Sequence, residues 1–174
     1  TGGQPSELDI PGANACLVSD DLFEMKSLPK TMGLIGSGYI AVEFASIFAE
    51  LGVEVHLFLR SEHLLRSFDI HLQQWLKDAL ERNHVHLHMN HTIQSLVSKD
   101  GPLTQISEKQ VTFKTDNGEK TYTLDCVVSA IGRVPKIGNL LDFPIETTAQ
   151  GYIEVKPNFE TSVEGLFAVG DIIP

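Results

Sequence analysis

Gly36-Ser37-Gly38-Tyr39-Ile40-Ala41 sets two glycines and an alanine at the G-x-G-x-x-A spacing. Small residues placed in this way can hold a pyrophosphate. The first glycine makes a tight turn, the second lets phosphate oxygens reach the backbone, and the alanine lets a helix lie close on a sheet. A helix beginning at this point adds unpaired N–H groups and a positive dipole end, both of which attract anions. The same six residues can be no more than a turn, so the flanking elements decide between the two readings. Residues 31–35 form a short apolar run ahead of the glycines. Residues 39–51 are helix formers stopped by Gly52, and residues 53–60 read as a second strand. This is the context that a dinucleotide site requires.

A site for the ribose 2′-hydroxyl of NAD carries Asp or Glu about 20 residues past the first glycine. Phe58 stands 22 residues past Gly36, with no acid beside it, and Arg60 and Arg66 follow. A carboxylate would repel a 2′-phosphate, whereas two guanidiniums hold one through charge-assisted hydrogen bonds. At roughly 1.5–3 kcal/mol each, two such bonds favour NADPH over NADH by ~100-fold or more. Either arginine taken alone is as readily a surface charge. The pair, together with the missing acid, points to NADP(H).

Other groupings carry less. His84, His86 and His88 alternate and should share one strand face, opposite Val85, Leu87 and Met89. Same-face neighbours on a strand lie about 7 Å apart, and no Cys or acid is placed to complete a tetrahedron. The histidines are therefore read as a wet sheet edge, and no metal site is expected. Cys16 and Cys126 form no C-x-x-C or C-x-x-x-x-C pair, so they encode neither a dithiol centre nor a zinc site. They are expected to be small buried apolar groups in a reducing, cytoplasmic setting. Ser37 lacks the G-x-S-x-G elbow of a hydrolase nucleophile.

The elements that must position these residues follow from patterning. Residues 1–30 are rich in Gly, Pro, Asp and Ser and read as an irregular lead-in with one short helix. The helix after the glycines is apolar nearly all round, so it should be sandwiched between layers. Asp69 is placed to cap a helix that buries Leu72, Trp75, Leu76, Ala79 and Leu80. Residues 85–89 read as a strand with one wet face, and the alternation of strand and helix predicts a parallel doubly wound sheet. Residues 92–97, 111–115 and 120–124 are short β-rich runs, and Asp116-Asn117-Gly118-Glu119 marks a hairpin between the last two. They predict an antiparallel meander inserted before the sheet resumes at residues 126–131. Residues 152–155 and 166–169 are two more short β-like pieces. The 174 residues carry a formal charge of −10, which argues against nucleic acid as a partner, and no apolar run is long enough for a membrane span.

These segments resemble the nucleotide-binding domain of the pyridine nucleotide-disulfide oxidoreductase family over essentially the whole chain. Thr1-Gly2-Gly3 is similar to the end of the family's A-T-G-G segment, and residues 36–43 to its nucleotide loop. Arg60 with Arg66-Ser67-Phe68-Asp69 resembles the 2′-phosphate segment of the glutathione reductase branch. Residues 130–135 are similar to the G-R-x-P turn, and residues 161–171 to the second FAD motif, which ends in A-x-G-D. One departure is Lys136, where the family usually has Asn.

The resemblance implies a Rossmann-like FAD/NAD(P)-binding α/β fold. Its parallel sheet is flanked by helices and carries an inserted antiparallel three-stranded meander. Residues 1–28 would be an edge of the FAD domain and a linker, residues 29–150 the NADPH domain, and residues 151–174 the return into the FAD domain. Gly36, Ser37, Gly38, Ile40 and Ala41 would form the cradle, with Arg60 and Arg66 on the 2′-phosphate. Tyr39 would be a lid over the nicotinamide pocket and Glu43 a neighbour of that ring. Gly132 and Arg133 would stand at the same site, and Asp171 would accept a hydrogen bond from the FAD ribityl chain.

The implied chemistry is hydride transfer from NADPH to FAD, then electron flow to a redox disulfide and on to glutathione disulfide. The first FAD G-x-G-x-x-G, the C-x-x-x-x-C dithiol and the interface domain with its acid/base His are not in this sequence. It is therefore expected to be a domain that binds NADPH without catalytic residues of its own, inactive by itself. Its expected partners are the nucleotide and the FAD and interface domains of the same polypeptide, in a homodimeric parent. A reductase of another disulfide and a non-catalytic NADP(H)-sensing module are the alternatives.

Overall fold

Alternation along residues 31–35 and 54–58 sets the layers of this protein, seen here in a computed structural model that describes residues 1–101, 105–138 and 143–174. In chain order the elements are β1 (Gly3–Pro5), a 3-10 turn (Ala13–Ala15), β2 (Leu17–Val18), α1 (Ser19–Leu22) and β3 (Thr31–Ile35). Then come α2 (Tyr39–Glu50), β4 (Glu54–Phe58), α3 (Ile70–Arg82) and β5 (His86–His88). The meander is β6 (Thr92–Ser98), β7 (Lys109–Thr115) and β8 (Gly118–Leu124), followed by β9 (Cys126–Ser129) and β10 (Arg133–Pro135). Two compact units result: residues 7–131, and residues 1–6 with 132–174.

In the larger unit a parallel sheet runs in the order β2-β9-β3-β4-β5, beside an antiparallel sheet β6-β7-β8. Met32, Leu34, Val55 and Leu57 point to one face, where they pack on Ala41, Ala45 and Phe48 of α2 and Leu80 of α3. Ile35, Phe58 and Val127 point to the other face and meet Ile93, Val111, Phe113 and Leu124 of the meander. Strand period 2 sends successive side chains to opposite layers, so each strand serves both cores. The parallel sheet with an inserted meander is as expected. The difference from a doubly wound sheet is that α2 and α3 share one face and the meander covers the other.

Three other expectations are corrected. Residues 17–18, placed in the irregular lead-in, form the edge strand β2, paired in parallel with Val128 and Ser129 of β9. The compact unit that contains β2 spans residues 7–131. The helix α2 is not sandwiched. Its inner face is buried, but Ile47 and Leu51 are exposed and line an open groove of about 370 Å³ with Phe23 and Phe44. In α3 the buried stripe is Gln73, Leu76 and Leu80, while Leu72 and Trp75 face outward. The Gln73 amide in that stripe donates to the Phe68 carbonyl at 2.8 Å.

The smaller unit pairs β1 with β10 in antiparallel register, Gly3 opposite Pro135. Its core is Ile153, Ala168 and Ile172. The β-like pieces expected at residues 152–155 and 166–169 make single bridges, Thr147 with Ile153 and Glu160 with Phe167.

Candidate functional site

The chain leaves β3 through Gly36 at φ 145°, a left-handed conformation that favours glycine. The Gly36 N–H donates to the Phe58 carbonyl at 3.1 Å. A Cβ on Gly36 would collide with the Ala130 carbonyl and stand 3.5 Å from the Ala41 Cβ, so both the turn and the helix approach need this glycine. Gly38 is different. Its φ of −84° suits any residue, and a Cβ built there meets no protein atom within 4 Å. Neither backbone nor packing requires glycine at this position, and the space above it is open.

Gly38 is also the N-cap of α2, and no side chain caps that helix end. No acidic residue lies in its first turn. The first N–H groups therefore keep their capacity for an external acceptor, which the dipole end attracts when it is anionic. Ala41 is fully buried beneath the turn, whereas Tyr39 and Glu43 are exposed and Ser37 and Ile40 half-buried. The cradle fits a phosphate group on three counts: an uncapped helix start, open space over Gly38, and no competing carboxylate.

Arg60 and Arg66 are both exposed, on the segment that links β4 to α3. Leu64, buried in the helix-side core, anchors this segment, and the Leu65 N–H donates to the Ser37 carbonyl at 2.8 Å. The segment is thereby tied to the glycine turn. Arg66 Nη2 lies 3.4 Å from Ser61 Oγ, and Asp69 caps α3 by accepting from the His71 N–H at 2.8 Å. The structure thus brings Gly36 to Glu43, Arg60 and Arg66 together in the larger unit.

Gly132, Arg133 and Asp171 belong to the smaller unit. Gly132 takes φ 139°, and its carbonyl accepts from the Ser6 N–H at 2.9 Å. Arg133 Nη2 donates to the Gly3 carbonyl at 2.7 Å. A Cβ on Gly3 would stand 3.2 Å from Arg133 Nε and 3.1 Å from an Asp171 carboxylate oxygen, so the two side chains flank Gly3.

The profile of the pyridine nucleotide-disulphide oxidoreductase family matches residues 1–174. The chain belongs to this family. It is 36% identical over 174 residues to a glutathione reductase of Yarrowia lipolytica, which covers 99% of this chain and 36% of the relative. A glutathione reductase of Schizosaccharomyces pombe is 33% identical, over 98% of the chain and 36% of the relative. A trypanothione reductase of Trypanosoma congolense is 34% identical, over 99% and 34%. The chain spans about a third of the length of the curated relatives it matches. Among the described residues, no helix is long and apolar enough to cross a membrane.

Sequence patterning missed a polar cluster on the meander side of β4 and β5 in this family member. His56 and His86 are directly paired across the strands, as are Phe58 and His88. His84 sits at φ 61° before β5 begins, so it does not continue the alternation. His56 Nδ1 lies 2.9 Å from His88 Nε2, and Tyr122 Oη lies 3.3 Å from His88 Nδ1 and 2.9 Å from His91 Nε2. Burial, then neighbouring His56 and His91, pushes the His88 pKa down to about 3. Burial also lowers that of His56, against the pull of Glu54.

The sequence signal available was His56 and Glu54 alternating on their own strand, which only the strand register connects to His86. Cys126 is buried and Cys16 packs against the meander-side core, and burial raises both thiols to about 12. Lys109 is fully buried, its ammonium donating to the carbonyls of Gln105 at 3.1 Å and Asp125 at 3.4 Å.

Proposed function

We propose that residues 36–66 hold NADPH and that the chain is the NADPH-binding part of an FAD-dependent disulfide reductase of glutathione reductase type. The observation that carries this reading is the pair of glycines. Gly36 is required by the fold, whereas Gly38 is required by nothing in the protein and leaves space over an uncapped helix start. A pyrophosphate in that space accepts from the N–H groups of the first turn of α2. Arg60 and Arg66 take the 2′-phosphate, and the bond from Leu65 to Ser37 holds their segment to the cradle.

NADPH, when bound, supplies a hydride for FAD, and the protein's part in that step is position. Exposed Tyr39 would cover the nicotinamide pocket, with Glu43 beside the ring. Asp171 accepts a hydrogen bond from the FAD ribityl chain. The full-length parent is a homodimeric flavoprotein that reduces glutathione disulfide, and residues 1–174 alone bind nucleotide without turnover. The trypanothione reductase relative supports a second reading, in which the parent reduces a different disulfide at a site outside this chain.

Gly38→Val is the direct test of the cradle. Nucleotide titration should show affinity falling by ~10-fold or more, since the branched side chain occupies the phosphate space, while the thermal midpoint stays near that of the parent. Unchanged NADPH binding by Gly38→Val contradicts the proposed site.

A further inference from the structure

Three side chains outside the nucleotide cradle converge at the exposed edge of the parallel sheet. Glu54 and His56 share a face of β4, and His86 lies across from His56 on the edge strand β5. Glu54 Oε1 is 3.2 Å from His56 Nε2 and 3.9 Å from His86 Nε2. One ligand atom from each residue falls within 4.8 Å of the others. Donors about 2.0–2.2 Å from one tetrahedral zinc ion would lie roughly 3.3–3.6 Å apart, so the exposed His86 ring, stacked on His56 with centroids 4.8 Å apart, must turn towards Glu54 to complete the site. The side chains of Glu54 and His86 are 55% and 53% exposed, so an ion can enter from solvent.

The hydrogen-bond chain behind His56 gives a second, independent argument. His91 Nδ1 faces the Met89 carbonyl at 2.6 Å and must donate to it. With the imidazoles neutral, His91 Nε2 then accepts, so the single Tyr122 proton goes to it across 2.9 Å. Tyr122 Oη in turn accepts from His88 Nδ1, which leaves His88 Nε2 to accept from His56 Nδ1. The lone pair of His56 therefore lies on Nε2, aimed at a carboxylate oxygen only 3.2 Å away. Two acceptors in that position need a proton or a metal cation between them. The chain also supplies the outer hydrogen bond that orients a metal-binding imidazole and raises its basicity.

We propose that Glu54, His56 and His86 bind one divalent first-row transition cation, with Zn2+ the best match to two imidazoles and a carboxylate. Three protein ligands leave a fourth position for water or a small anion, and the ion bridges β4 to the edge strand β5. The His88–Tyr122–His91 relay holds His56 in the tautomer that ligation needs.

Titration of the 174-residue chain with Co2+, followed by visible absorption, tests the proposal. One equivalent should bind with the intense bands of a four-coordinate site and be displaced by Zn2+. His86→Ala and Glu54→Gln, both at exposed side chains, should each weaken binding by ~100-fold or more. Tyr122→Phe, which removes no ligand, should weaken it by ~10-fold. His71→Ala, an exposed histidine on α3, should bind as the parent does. If the chain takes up no Co2+, the space between His56 and Glu54 holds only a proton and the proposal fails. It fails equally if binding persists undiminished in His86→Ala and Glu54→Gln.

Discussion

The Leu65 N–H donates to the Ser37 carbonyl at 2.8 Å, and that bond joins the arginine segment to the glycine turn. Leu65 adopts φ 46° to make it, an uncommon conformation for a branched side chain. The buried side chain of Leu64 next to it holds the segment down. The two exposed arginines are thus carried on a backbone tied to the start of α2.

Gly36→Ala should fail for the reason that Gly38→Val does not. The new methyl meets the Ala130 carbonyl at a φ that alanine avoids. A loss of ~3 kcal/mol or more in denaturant unfolding is expected, with nucleotide binding lost alongside. A Gly36→Ala protein of parental stability would remove the close-approach argument for this turn.

Asp69→Ala should cost about 1 kcal/mol, because the His71 N–H loses its acceptor at the start of α3. Urea denaturation reads this directly, and Asp69→Ser should recover most of it.

The single tryptophan, Trp75, is exposed, and Leu80 is buried on the other side of the same helix. Trp75→Ala should change stability by no more than ~0.5 kcal/mol and Leu80→Ala by ~2–5 kcal/mol. Iodide should quench the native fluorescence nearly as well as that of the unfolded chain. A shielded native tryptophan would restore the helix face expected from the sequence.

The thiols set a pH dependence at the alkaline end. Burial holds Cys16 and Cys126 protonated up to about 12 against an ordinary 9.0, so the folded chain keeps these protons after the unfolded chain has lost them. Their contribution to stability is therefore complete below pH 9 and disappears as pH rises from 9 towards 12. At pH 8 a disulfide reagent should label both thiols far more slowly in the native chain than in denaturant.

The glycine turn, the flanking strands and the meander were legible because each rests on local signals: small residues at fixed spacing, apolar runs and an Asp-Asn-Gly turn. The stripe of α3 was not, since Leu72 and Trp75 satisfy helical period as well as Gln73 does. The packing of Leu76 and Leu80 against the sheet, which decides between them, is tertiary. Strand β2 has only two residues, too few for a pattern. The convergence of Glu54, His56 and His86 depends on strand register between β4 and β5, which no local pattern specifies.

The proposed nucleotide site assigns Arg60 and Arg66 to the 2′-phosphate of a nucleotide held over Gly38. Calorimetric titration of the chain with NADPH and separately with NADH, repeated on the Arg60→Ala/Arg66→Ala variant, tests this assignment. NADPH should bind tighter than NADH by ~100-fold or more, and the double variant should bind the two nucleotides alike. Equal binding of both nucleotides by the parent chain, or a preference for NADPH that survives the double substitution, would contradict it.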